Sequence, residues 1–184
     1  KAQVSWNRIR PLFDSVNEEE NGKEWGPGNL EVKDVSFAYP DGKHVLEHVS
    51  FSAKPGQIIG VTGPVACGKS TLGKLFLCEC PCEGTVRFAG KDLLQMEEAE
   101  RKGIVAYLGH DPELFHDSVR DNVLLGDEKD LKTYLKAVCI DREVSDMEEG
   151  EDTLIGNGGV RLSGGQAQRV ALARTVCHKK PLLV

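Results

Sequence analysis

A chain of 184 residues has the length of one domain, or one domain plus an arm, and enough of it to bury a sizeable core. Its 29 acidic residues outnumber 23 basic ones, and the resulting formal charge of −6 is the wrong sign for a surface that coats nucleic acid. No apolar run approaches the roughly 20 residues of a membrane-spanning helix.

The first segment, Lys1 to Val16, places Val4, Ile9, Leu12, Phe13 and Val16 at loosely helical spacing, with Pro11 kinking or breaking the helix. Asn17 to Asn29 is acidic and glycine-rich and reads as a linker. Residues 1–28 are therefore expected to form a connector and residues 29–184 a domain. Leu30 to Tyr39 alternates apolar and polar residues with one break, which predicts a strand carrying a bulge. Asp41-Gly42 is a hairpin signal, Val45 to Ala53 returns as a second strand, and Lys54-Pro55-Gly56-Gln57 is a turn. Ile58-Ile59-Gly60-Val61 then reads as a short buried strand.

That strand leads into Gly63-Pro64-Val65-Ala66-Cys67-Gly68-Lys69-Ser70-Thr71, which fits the phosphate-loop pattern of glycine, four residues, then glycine, lysine and serine or threonine. Thr71 to Leu77 continues with helical spacing, so the motif sits between a strand and a helix, the context it needs. Glycines let the backbone curl until successive N–H groups point at one anion, and the helix start adds about half a positive charge. Lys69 is expected to reach the β- and γ-phosphates of a nucleoside triphosphate, and Ser70 to hold Mg²⁺. Cys67 is a thiol at an electropositive helix start beside Lys69, sensitive to alkylation without being catalytic.

Six cysteines in a chain with a phosphate loop point to free thiols in a reducing compartment. The alternation Cys78, Cys80, Cys82 is not a zinc-binding spacing, and no histidine lies near it. Gly84 to Phe88 and Ile104 to Leu108 predict strands, with a charged helix over Leu93 to Lys102 between them. Ser118 to Leu124 and Lys129 to Val138 have helical spacing, and Asp146 to Asp152 reads as an acidic connection. Gly164 to Cys177 repeats apolar residues at helical spacing, and Pro181 to Val184 begins another buried strand. An antiparallel opening followed by alternating strands and helices predicts an α/β domain with a β subdomain.

Leu162-Ser163-Gly164-Gly165-Gln166 makes a second helix start, capped by Ser163 and about a hundred residues beyond the phosphate loop. Both anion-ready ends could meet one nucleotide within the chain, or each could complete a site on a neighbouring copy; residue chemistry does not choose.

Together, Gly63–Thr71, Leu162–Gln166 and the following Arg169, Ala171, Ala173 and Arg174 resemble the nucleotide-binding domain of ATP-binding-cassette transporters, over almost everything from Leu30 to Val184. The resemblance implies a phosphate-loop NTPase core, an antiparallel β subdomain and an α-helical subdomain carrying the signature motif. It implies two domains packed head to tail, with ATP and Mg²⁺ held between Gly63, Pro64, Val65, Ala66, Cys67, Gly68, Lys69, Ser70 and Thr71 of one and Ser163, Gly164, Gly165 and Gln166 of the other. Tyr39 matches the aromatic residue that stacks on adenine. His110 stands where the family has a glutamine that binds Mg²⁺ and water, and nitrogen is a poor donor for magnesium. Gly156-Asn157-Gly158-Gly159 departs from the family's acidic loop at the membrane partner. Asp111 to Val123 and the leading helix resemble the exporter type, whose partner is a transmembrane domain and whose place is the cytoplasmic face of the membrane.

In this family the acidic residues that order Mg²⁺ and polarise water, and a later histidine, are expected beyond Val184. The 184 residues are therefore expected to bind ATP and to hydrolyse it poorly, with no catalytic group of their own. The other readings are a non-catalytic half of an asymmetric pair, which His110 and Asn157 allow, a cassette protein without a membrane partner, and a phosphate-loop kinase, against which Leu162–Gln166 argues.

Overall fold

The computed structural model describes residues 25–40, 42–79 and 81–184. The helix expected over Lys1–Val16, most of the linker, and Asp41 and Cys80 lie outside the described residues.

Alternation in the first strand decides the front of the molecule. In β1 (Leu30–Ala38) the residues Leu30, Val32, Val35 and Phe37 turn to one face and are buried. β1 lies between β2 (His44–Ala53) and β3 (Glu83–Phe88), antiparallel to both, and β4 (Lys91–Asp92) completes a four-stranded sheet of order β2-β1-β3-β4. Leu30 faces Ala53 on one side and Phe88 on the other, and Val32 faces Phe51 and Val86. The expected bulge is present: the register slips between Val32 and Val35, where Asp34 takes φ 53° and His48 on the partner strand takes φ 51°. Two hydroxyls take over the amides freed there, Ser50 Oγ accepting from Asp34 N–H at 2.9 Å and Ser36 Oγ from His48 N–H at 3.0 Å. Trp25 sets the chain's approach to this sheet, edge-on to Phe88 at 6.3 Å with the Lys91 ammonium 5.0 Å over its ring.

The helix α1 (Lys69–Leu75) lays Leu72 and Leu75 against the buried sheet face, joined by Phe76, Leu93, Ile104 and Val105 in one core. The expected Leu93–Lys102 helix is two pieces. Asp92 caps a 3-10 turn over Leu93–Gln95, Met96 is extended, and α2 (Glu98–Lys102) starts afresh. β5 (Val105–Ala106) pairs in parallel with β8 (Leu182–Leu183), and Leu108 and Val184 extend the ladder through Leu108 N–H to Val184 O at 2.8 Å.

The strand expected over Ile58–Val61 is not there. Those residues form no regular element, and Ile58 is 97% exposed. No described strand runs beside them, so their backbone groups join no ladder and their apolar side chains find no face to cover.

A second core belongs to the helices. β6 (Asp117–Ser118) and β7 (Leu154–Ile155) make a small antiparallel pair; α3 (Val119–Leu124), α4 (Leu131–Ala137), α5 (Asp141–Ser145) and α6 (Gly164–Cys177) enclose Val119, Val123, Ile140, Val144, Ile155, Val170 and Ala173. The acidic connection Asp146–Asp152 ends in a 3-10 turn over Gly150–Asp152. α6, at 14 residues, is the longest described helix, about 21 Å long at 1.5 Å per residue. No described helix is long and apolar enough to cross a membrane. The domain is thus a mixed α/β body, an antiparallel sheet with the phosphate-loop helix at its back and a helical portion beside it.

Candidate functional site: two helix starts

The phosphate-loop sequence forms a loop closed by its own lysine. Lys69 Nζ donates to Gly63 O at 2.8 Å and to Pro64 O at 2.6 Å, with Cys67 Sγ at 3.6 Å. The ammonium therefore sits over the mouth of the loop on two carbonyls, and Ser70 beside it is exposed. Gly68 takes φ 94°, and a Cβ there would lie 2.8 Å from Val45 Cγ1 and 2.9 Å from Val45 O, so both the conformation and the space demand glycine. That close approach packs the start of α1 onto β2. The first amides of α1 have no preceding turn to bond, which leaves them for an anion.

Tyr39, at the end of β1, is brought to the same place. Its hydroxyl lies 3.4 Å from Thr71 Oγ1, either oxygen being able to donate, and its ring meets Phe37 edge-on at 4.9 Å. Tyr39 is 44% exposed, so a ring face remains open beside the phosphate loop. Thr71 itself is buried and serves this contact.

The second helix start is built by a reciprocal cap. Ser163 Oγ accepts from Gln166 N–H at 3.2 Å, and Gln166 Oε1 accepts from Ser163 N–H at 2.9 Å. Gly164 and Gly165 face open space: nothing lies within 4 Å of where a Cβ would stand on either. The amides of this end are thus accessible to a group approaching from outside the chain. His110 is exposed, and its carbonyl accepts from Gln168 Nε2 at 2.9 Å. A cleft of about 540 Å³ runs between Leu108–His110 and Gly165, Gln168, Arg169 and Leu172 of α6. The structure thus joins His110 to the signature helix, and no phosphate-loop residue lines that cleft.

The two arginines of the signature helix are braces. Arg169 donates to Cys139 O at 2.6 Å and pairs with Glu143 at 2.8 Å. Arg174 donates to Asn122 O at 2.6 Å, Asn122 Oδ1 at 2.8 Å and Glu113 O at 3.0 Å, and its guanidinium lies 4.7 Å over the Phe115 ring. Burial pushes its pKa below the usual arginine value.

Asn122, which sequence reading passed over, is the hub of this region. It is fully buried. Its Nδ2 donates to Phe115 O at 3.0 Å, Asp117 O at 3.2 Å and Ser118 O at 3.0 Å, while its Oδ1 accepts from Phe115 N–H at 2.8 Å and from Arg174. The only local signal is a polar residue on the apolar stripe of Ser118–Leu124. The Gly156–Gly159 turn packs on the same segment: Gly156 takes φ 81°, and a Cβ there would lie 2.3 Å from Phe115 O. Phe115, Leu154 and Val160 on and beside this turn are each about half exposed. Arg120 ties the strand pair down through Glu151 and Asp152.

Comparison with known proteins gives this arrangement its family. The family model described as ABC transporter matches residues 46–184. The chain is 33% identical over 187 residues to the human protein named ATP-binding cassette sub-family B member 6, covering 95% of this chain and 22% of that protein. It is 36% identical over 183 residues to the ATP-dependent lipid A-core flippase of Burkholderia thailandensis, covering 94% of this chain and 31% of the relative. Among solved structures, a bacterial Atm1-family ABC exporter with ATP bound superposes with a TM-score of 0.78 at 25% identity, over 98% of this chain and 34% of that one. The chain therefore spans between 22% and 34% of the length of these relatives. With the phosphate loop, the capped glycine pair and the family match over one continuous stretch, the chain belongs to the ABC transporter family.

Proposed function

We propose that residues 29–184 are the ATP-binding part of an exporter's ATPase, with residues 1–28 as the connector to a transmembrane domain. The observation that carries this is the pair of anion-ready helix starts on different bodies of one chain. Lys69 caps the phosphate loop by bonding its own carbonyls, and the Gly164–Gly165 amides open outward. A loop whose carbonyls hold the chain's own lysine is poised for exchange: arrival of a β/γ-phosphate gives the ammonium oxygens of full negative charge in place of two neutral carbonyls. Tyr39 offers its open face to the adenine ring. Mg²⁺, when bound, neutralises phosphate charge, and the exposed Ser70 hydroxyl is the hard oxygen donor that fits it; the imidazole of His110 is not. His110 is left the role of holding a water through a ring nitrogen.

The outward-facing Ser163–Gln166 end completes the site of a second nucleotide-binding domain, head to tail, and closure on ATP is what moves the membrane partner. The half-exposed Phe115, Leu154 and Val160 face that partner at the cytoplasmic surface, without the acidic residue that Asn157 replaces in the family pattern. Binding of ATP with slow turnover is what this reading expects of these 184 residues, and fast hydrolysis belongs to the whole transporter.

The test is a pair of variants. Lys69→Ala should weaken binding of a fluorescent ATP analogue by more than about tenfold, the loss of a charge-assisted contact; unchanged affinity removes the site assignment. Ser163→Glu should leave binding to the single chain intact and abolish ATP-dependent dimerisation. Mixing the two variants rebuilds one whole composite site, so dimerisation should partly return in the mixture. Its absence there would sink the head-to-tail reading.

A further inference from the structure

At the end of α6 opposite the signature serine, three unlike side chains converge. Cys177 is the last residue of the helix and His178 its cap, and Asp127 comes from the turn that follows α3. One ligand atom from each lies within 4.8 Å of the others, the only such group of histidine, cysteine and carboxylate among the described residues.

The histidine is held ready. Its Nε2 lies 3.2 Å from Val123 O, and a carbonyl can only accept, so Nε2 carries the proton. Nδ1, the other ring nitrogen, faces Asp127 Oδ2 at 3.6 Å, so one side of the ring and one carboxylate oxygen are turned to the same spot. A backbone carbonyl on the far ring nitrogen is also the partner that metal-ligating histidines use to fix their tautomer.

At present the positive charge comes from Lys129. Its Nζ lies 2.6 Å from Asp127 Oδ2 and 3.1 Å from Cys177 O, at the C-terminal end of a helix, where free carbonyls favour a cation. Asp127 and Lys129 are both substantially exposed, so the ammonium can swing out to water and leave a way in.

We propose that Asp127, Cys177 and His178 form a binding site for a divalent transition-metal ion of the zinc class, taken in exchange for the Lys129 ammonium. One thiolate, one imidazole and one carboxylate suit zinc in a tetrahedral set with a fourth position for water, and the sulfur argues against magnesium or calcium. Metal–ligand bonds of about 2.0–2.3 Å require the three atoms to draw in by about 1 Å, a movement the exposed Asp127 turn can supply. Binding releases the thiol proton to solvent and pins the end of the signature helix to the turn after α3. The site is independent of the nucleotide reading.

Co²⁺ titration of the full chain under reducing conditions tests it, because a thiolate on Co²⁺ gives a near-ultraviolet charge-transfer band. One equivalent should develop the band and Zn²⁺ should bleach it. A variant with Cys67, Cys78, Cys80, Cys82 and Cys139 all changed to serine should keep it, while Cys177→Ser should lose it. Asp127→Asn and His178→Gln, both at the solvent side, should weaken binding by at least about tenfold, and they carry the test if Cys177→Ser does not fold. Lys129→Met should tighten binding about tenfold by removing the competing charge. No band in the parent chain, a band that survives Cys177→Ser, full affinity in both Asp127→Asn and His178→Gln, or no tightening in Lys129→Met would each overturn the assignment.

Discussion

Replacing Asn122 with alanine removes five hydrogen bonds from a fully buried side chain. The losses are unequal. Phe115 O keeps Asp117 N–H at 2.9 Å, and Arg174 keeps Asn122 O and Glu113 O. What is stranded is the Phe115 N–H and one guanidinium N–H, each at about 1–3 kcal/mol when left without an acceptor. Together that is about 2–6 kcal/mol, to which a small cavity adds. At about 2–4 °C per kcal/mol for a chain of this size, the midpoint of thermal unfolding followed by circular dichroism should fall by roughly 4–24 °C. Amide exchange adds the local readout, since Phe115 N–H should lose its protection while the sheet amides of β1 keep theirs. Asn122→Asp separates the parts: it keeps both acceptor contacts but turns an anion toward the carbonyls of Phe115, Asp117 and Ser118, and should also destabilise. An Asn122→Ala variant that unfolds within 0.5 °C of the parent, with Phe115 still protected, would refute the assignment of Asn122 as the hub.

Gly68→Ala should cost nucleotide affinity and about 2–4 kcal/mol of stability, because the residue sits at φ 94° with Val45 O 2.9 Å from the new carbon; unfolding and ATP titration together check it. Ser163→Ala removes one half of the capping box and should lower stability by about 1 kcal/mol, read as faster exchange of the Gln166 amide. The pKa of His48 is raised, chiefly by its hydrogen bond to Asp34 at 2.7 Å and then by that residue's charge. Its contribution to stability is therefore present below the ordinary histidine value and lost as pH rises through the higher folded one. Histidine NMR titration should show His48 returning toward the ordinary value in Asp34→Asn, and this contribution to the stability difference between the two chains should be present below the ordinary histidine value and vanish as pH rises through the folded one; a His48 titration unmoved by that change would remove the linkage.

What the sequence made legible is the local chemistry. Gly68-Lys69-Ser70 and Ser163-x-x-Gln166 act through contacts a few residues away, so their residue types carry the geometry with them. The bulge in β1 was readable for the same reason, since the break in alternation falls where the register slips. Ile58–Val61 was misread because an apolar run signals burial only where something exists to bury it. The Leu93–Lys102 helix was misread because the chain goes extended at Met96, where the Arg101 guanidinium, 3.1 Å from Met96 O and 3.5 Å from Leu93 O, takes carbonyls that a continuous helix would have used. Asn122 and the Asp127–Cys177–His178 group were invisible because their meaning lies in partners some 50 residues away or in main-chain carbonyls, which have no letter in a sequence.

The same distinction explains why α6 is more than a carrier of the signature serine. Along its 14 residues it opens outward at Ser163, holds His110 O through Gln168, and grips Cys139 O and Glu143 through Arg169. Further on, Arg174 holds Asn122 and Glu113, and the helix ends in the Cys177–His178 group. Four of these attachments end on main-chain oxygens of other segments, so they hold the positions of those segments whatever side chains they bear. A helix about 21 Å long with such ties does not move at one end alone. A pull on the Gly164 amides must be met by rotation of the whole helix, or by breaking the Arg174 fork that supports Phe115. The fork reaches three acceptors from one planar group while lying over an aromatic ring, which the point charge of a lysine cannot do. In the assembly we propose, the tie between the Ser163 end and the exposed Phe115 face runs through the arginine at position 174, a residue that touches neither nucleotide nor membrane partner there.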